Sequence, residues 1–331
     1  MGGYGWSGLL LGLLFDSQAL AASGLHDARG TVAPLGFDIQ GNPLPSAQVP
    51  QLRGRLEQLL EQVRGTAALA PLRGFAINQS VRLFEQPAAL HGAPAGGRAH
   101  LLVRRVDPVR SERDPSGGLR GIGEGPAIEL RVNDQAALFG DAVGKDADGD
   151  YFQLAVKPRR LQGMPVLQVG SKDLVVVHKP GRKPFAHITR QRYLEGLIAG
   201  EHEHISLLQH QLAQATDADS RQQLQPFIRQ WQASAAQKRA QLAGMSEAER
   251  RSPTCQSSAT PGLFAACDEA GAVYYVTFAP GYFQPGLPPS SVQLLTISVV
   301  NKGFLNDREL GLKLRQAVAQ LDLPALQRSL D

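Results

Sequence analysis

Between Gly200 and His210 the chain reads GEHEHISLLQH, which places three histidines and two glutamates in eleven residues. Imidazole nitrogens and carboxylates at that density suggest a zinc site or the acid–base pair of a hydrolase. The spacing argues against both. A zincin requires His-Glu-x-x-His, because two histidines one helical turn apart reach the same ion while the glutamate acts as base. Here Ser206 stands where the second histidine must be. His202 and His204 are two residues apart, about 200° round a helix, and diverge. His210 lies roughly 12 Å along the axis from His202. The partner helix expected from Leu224 to Leu242 contributes no His, Asp or Cys. These residues imply no metal ion and no cofactor.

Other stretches fail on equally specific grounds. In DADGD, Asp146 to Asp150, Tyr151 replaces the glycine and Lys157 the glutamate of a calcium loop, so the run is a polar turn. GIGEG, Gly121 to Gly125, is followed by Pro126 and does not open a helix, so it is a connection and not a nucleotide cradle. The chain has no Walker loop and no G-x-S-x-G elbow. No catalytic residue can be assigned.

Two features suggest other roles. In VYYVTFAPGYFQPGLPP, Tyr282 and Phe283 sit in a Pro/Gly loop, where rigid rings could meet a glycan or a peptide. They are candidate partner contacts. Cys255 and Cys267 are the only cysteines and lie twelve positions apart, the pattern of a disulfide in an oxidising compartment.

Export is also expected from Met1 to Ala22, where the apolar run Leu9 to Phe15 precedes small residues suited to cleavage, although this signal peptide carries no Lys or Arg. The mature protein is then expected to be periplasmic or secreted, with no membrane span after cleavage. A net charge of +4 over 331 residues does not imply nucleic acid. Basic clusters at Arg104, Arg105, Arg110 and Arg113, at Lys157, Arg159 and Arg160, and at Lys179, Arg182 and Lys183 could face anionic envelope polymers.

The elements that must position these residues follow from periodicity. VPQLRGRLEQLLEQVRG spaces Leu52, Leu56, Leu59, Leu60 and Val63 as one helical face. Strands are expected over 74–83, 99–106, 127–132, 151–156, 272–278 and 292–300, a β-hairpin around Pro180-Gly181, and a helix over 307–330. Two heptad seams stand out: Leu194, Ile198, Glu201, Ile205, Leu208, Leu212 and Ala215, then Leu224, Ile228, Trp231, Ala235, Lys238 and Leu242. The turn TDADS between them makes an antiparallel helical hairpin at about 189–245. Facing residues sum to about 439, so Glu201 should meet Lys238. Pro226 should kink the second helix or delay its start.

The fold class is α+β, with mainly antiparallel sheets. Two domains are expected, 23–160 and 161–331, the second carrying the helical hairpin. The function that fits is an exported cell-envelope binding or scaffold protein whose partner is an envelope protein, a glycan or an anionic polymer, or a second copy of itself. The rival is a hydrolase of the same compartment, which would need a deep pocket gathering titratable groups.

Overall fold

The computed structural model describes residues 27–86, 93–139, 142–155, 157–170, 172–257, 264–269, 271–301 and 307–331. The signal peptide expected at 1–22 lies outside them. The first part of the chain supplies β1 (Gly36–Gln40), α1 (Val49–Arg64), β2 (Phe75–Phe84), β3 (Gly96–Arg105), β4 (Ala127–Val132), β5 (Gly144–Asp146) and β6 (Gly149–Ala155). Then come β7 (Arg159–Leu161), β8 (Met164–Val169), β9 (Lys172–His178) and β10 (Phe185–His187). Two long helices follow, α2 (Arg190–Gln214) and α3 (Ala218–Gly244), with the short α4 (Glu247–Arg251). β11 (Cys255–Ser257), β12 (Ala272–Phe278), β13 (Leu294–Val300), α5 (Arg308–Ala319) and α6 (Leu323–Arg328) complete it.

The fold is α+β. An eight-stranded sheet runs β1-β2-β3-β4-β13-β9-β8-β7, and a second runs β10-β12-β6-β5 with β11 also on β12. β1 and β2 are parallel, and the pairings that build the rest are antiparallel. One face of the large sheet packs on α1, α5 and α6 through Leu56, Leu83, Leu130, Ile297 and Leu314. Its other face is covered by the second sheet over β8, β9 and β13, where Leu167, Val176 and Leu294 meet Leu154 and Val276. Alternation along β13 serves both cores: Leu295 and Ile297 face the helices, Leu294 the second sheet.

Three expectations need correction. The boundary at 160/161 is not a break in pairing, because β4 from the first part hydrogen-bonds to β13 from the second, and β6 to β12. The stretch that spans it, KPRRLQGMP, is the β7–β8 hairpin, with Gln162 at φ 49° and Gly163 at φ 84° forming its two-residue turn. The turn at Pro180-Gly181 does not close a β-hairpin, since β9 pairs with β13 and β10 with β12, so the chain passes there from one sheet to the other. The last helix divides into α5 and α6, the second capped by Asp322 accepting from the Ala325 amide.

Asn133 locks the end of β4. It is fully buried at φ 55°, a conformation asparagine tolerates better than most residues. Its amide donates to the Ala95 and Ser291 carbonyls at 2.9 and 2.8 Å, and its Oδ1 accepts from the Gln293 amide at 2.9 Å. Asn133→Ala would orphan buried groups on three segments, each worth about 1–3 kcal/mol. A loss of at least about 3 kcal/mol is expected in urea unfolding, as a lower midpoint with an unchanged slope. A loss below about 1 kcal/mol would contradict this account of the junction.

Candidate interaction surface

The opening histidine cluster lies on α2, in a helical hairpin built as the seams require. Thr189 caps α2 by accepting from the Arg192 amide, and Asp217 caps α3 by accepting from the Ser220 amide. Leu194, Ile205, Ile228 and Ala235 are buried between the helices, while Leu208, Leu212, Leu224 and Trp231 remain half-buried. Lys238 Nζ donates to Glu201 Oε1 at 2.5 Å, and Ser234 Oγ donates to the same oxygen at 2.7 Å. The two polar interruptions of the seams thus meet, and they fix the register. Pro226 does not delay α3, which starts at Ala218; it sits inside the helix on its exposed face.

The histidines diverge to opposite sides of the seam. His202 contacts Arg239 on one side. His204 lies edge-on to Trp231 on the other, with ring centroids 4.7 Å apart. His210 pairs with Gln214. Among the described residues no three His, Cys, Asp or Glu side chains form a metal-binding group.

The base of the hairpin is anchored to the second sheet. β10 and β11 occupy successive stretches of one edge of β12, so the chain leaves for α2 and returns from α4 at neighbouring points. The Ile188 amide donates to the Tyr275 carbonyl, and the Thr254 amide to the Ile188 carbonyl. Arg192 forks onto Asp146 at 2.5 and 3.0 Å, and the Tyr151 hydroxyl donates to the same carboxylate at 2.7 Å. Gly196 is required here, because a Cβ would stand 2.6 Å from the Tyr151 hydroxyl. Arg192, and then Tyr151, hold the Asp146 carboxyl down at about 2, against the pull of burial. Cys255 and Cys267 are bonded, with Cα atoms 5.3 Å apart. The loop they close presents Phe264 to the Tyr193 ring and to the Arg190 guanidinium, both on the first turn of α2.

The aromatic loop does not serve as a contact surface. Tyr282 and Phe283 are 5% and 8% exposed and pack on Phe278. The Tyr282 hydroxyl donates to the Gln293 carbonyl at 2.9 Å. The loop folds back because its rings complete the core between the sheets, so the candidate contact at Tyr282 and Phe283 is withdrawn. Members of the basic clusters are engaged locally: Arg105 with Asp307 and Glu309, Arg159 with Asp173, Arg182 with the Tyr282 carbonyl.

On the open part of the large sheet, cross-strand pairing aligns Ser80, His100, Glu129 and Ser298 in one row. It resembles a hydrolytic relay in composition only. Arg98 takes one carboxylate oxygen of Glu129 at 2.5 Å and Arg131 takes the other at 3.1 Å. Burial would raise the Glu129 carboxyl, but the two arginines hold it below the usual range, while burial and Arg98 push the His100 imidazole down. Glu129 is thus tied to Arg98 and Arg131, which face each other in a separate row of the same sheet. Clefts open at two places among others on the described surface. One of about 430 Å³ is lined by Arg29, Leu72, Asp114 and Ser116, the other of about 200 Å³ by Phe139, Phe152, Leu154 and Leu167. Neither gathers a set of titratable groups around a reacting position.

Comparison with known families, curated proteins and solved structures finds no match. The hairpin is therefore read on its own geometry. α2 touches β5 and α4 near its base, and the extensive contacts of α3 are with α2. Leu207 and Phe227, both outside the seams, are 52% and 54% exposed. Sequence reasoning passed over them because each adjoins a seam residue, Leu208 and Ile228. An apolar residue beside a filled seam was the available signal.

Two measurements test this anatomy. The second oxygen of Glu201 is buried without a partner, so the ion pair is costly to hold. Lys238→Leu alone should destabilise the hairpin by about 1–3 kcal/mol, and Glu201→Leu/Lys238→Leu together should restore or exceed the original stability. A double variant weaker than the single one contradicts a register role. Asp146 titrates lower when folded, so its contribution is complete above about pH 4 and is lost as pH falls towards about 2. Protection from hydrogen exchange at the base of α2, taken relative to the intrinsic rate at each pH, should fall across that window, and Asp146→Asn should remove that fall. An unchanged profile in the variant would show that another group governs it.

Proposed function

We propose that this chain is an exported cell-envelope binding or scaffold protein that makes its contacts through the far half of the α2–α3 hairpin. The observation that carries this reading is an arm fixed at one end and, among the described residues, covered by little but its own helices at the other. Its base is held by Asp146, Tyr151, Arg192 and the loop closed by Cys255 and Cys267, whereas beyond it the helices pack chiefly on each other. Rigid presentation of an exposed helical pair lowers the ordering cost of binding. Export is supported by the apolar leader read at 1–22 and by the bonded cysteine pair, which persists in an oxidising compartment. Among the described residues no helix is long and apolar enough to cross a membrane.

A photoreactive amino acid placed at 207 or 227, and at the exposed Val109 as a control, tests the proposal in living cells. Adducts are expected from the two hairpin positions in the envelope fraction and not from 109. Their absence at both hairpin positions would overturn the reading.

A further inference from the structure

We infer that the hairpin face bearing Leu207 and Phe227 is a self-association surface, on which a second copy of this chain docks to form a four-helix bundle. The inference rests on reading the hairpin as the contact surface, and it names the partner.

Contacts across the seam define its two sides. His204 on Trp231 and Ser234 on Glu201 mark one side, His202 with Arg239 the other. Phe227 lies one heptad before Ser234 and therefore on the same side. Leu207, three residues after His204, also faces that side, one step further from the seam. Counting from the facing pairs, Leu207 and Phe227 lie about five residues, or roughly 8 Å, apart along the axis.

The charges are distributed unevenly between the sides. Arg190, Arg192 and Glu195 belong to the anchored base; beyond it, Glu201 and Lys238 lie in the seam, Arg229 and Arg239 on the His202 side, Glu203 on the back, and the remaining charges at the turn, Asp217 to Arg221. The far half of the side with Leu207 and Phe227 carries none. Its polar residues include Gln211, Gln223, Gln230 and Gln237, all exposed. Depletion of charge around apolar anchors is the compositional mark of an interface core. An anionic polymer would seek the opposite side of the hairpin. A second copy meets no like-charge repulsion here, and a glutamine amide, both donor and acceptor, is complementary to itself, as a two-fold interface demands. Two helix widths over about 25 Å give roughly 500 Å² per copy, or about 1,000 Å² in all. That area is at the lower limit for a specific interface, so a reversible dimer is expected.

Sedimentation equilibrium of the purified, disulfide-bonded protein from about 1 to about 300 µM tests this. The wild type should move from monomer to dimer within the range. Leu207→Glu/Phe227→Glu should weaken association at least about tenfold, because it places like charges face to face. Arg229→Glu, on the other side, should dimerise as the wild type does. Far-UV circular dichroism checks that each variant is folded, and Leu207→Ala/Phe227→Ala provides a milder variant should the glutamates disturb the helices. A wild type that stays monomeric throughout, or a folded glutamate or alanine double variant that dimerises undiminished, overturns the inference. A monomeric protein that still forms hairpin adducts in cells with another macromolecule would sink this inference and leave the proposed function standing. A dimer of the purified protein without hairpin adducts in the envelope fraction would do the reverse.

Discussion

Leu294–Val300 hydrogen-bonds to β4 along one edge and to β9 along the other, pairing Ile297 with Leu130 on one side and Val175 on the other. Removing β13 would split the large sheet in two, with Leu130 and Val175 losing their shared neighbour. Both cores also depend on it, because its alternate residues face α5 on one side and the second sheet on the other. The strand that completes the fold thus follows both of its partners by more than a hundred residues (Leu294 against His178 and Val132), and the pairing is strongly non-local. Neither part of the chain can bury its own strands alone. Asp331 reinforces the arrangement: its side-chain carboxylate accepts from Arg55 at 2.6 Å and from the Val292 amide at 2.8 Å, just ahead of β13.

Against this sheet the hairpin is an insertion with a narrow footprint. Because β10 and β11 share one edge of β12, entry and exit lie side by side, and the helices between them can extend without disturbing either core. What they require is a firm base. It is polar where it meets β5, through Asp146 and Arg192, and aromatic where it meets β12, through Tyr193 against Tyr275 at 4.7 Å. Polar contacts fix direction and aromatic contacts bury area, so the arm is both aimed and held. The ion pair of Glu201 and Lys238 lies further out and sets how one helix slides on the other.

Much of this was legible in the sequence where a pattern repeats. Leu52, Leu56, Leu60 and Val63 specified α1, and the two heptad seams specified α2, α3 and the meeting of Glu201 with Lys238. Cys255 and Cys267 were readable because no other cysteine competes. Pairing between distant strands was not readable. Nothing local in the run AIELRV, Ala127 to Val132, tells β4 that its partner is β13 and not a neighbour in sequence. The boundary expected at 160/161 falls inside the β7–β8 hairpin, because the residues of a tight turn are also those found between domains. Tyr282 and Phe283 misled for a related reason: a Pro/Gly loop suggests exposure, and only the fold shows the space between the sheets that the rings fill. The anchor joins Arg192 to Asp146 and Tyr151, some forty positions earlier in the chain, and no spacing rule connects them.

The central claim is that the hairpin is fixed at its base and, among the described residues, packed chiefly on itself beyond. Amide hydrogen exchange along α2 and α3, at a protein concentration of about 1 µM where copies do not meet, reads this directly. The account predicts a gradient: amides from Leu194 to Glu201 exchange slowly, close to the rate set by global unfolding, and amides around Leu212 and Leu224 exchange far faster through local opening. Uniformly slow exchange out to the turn would mean that the rest of the protein covers the far half, and would contradict it.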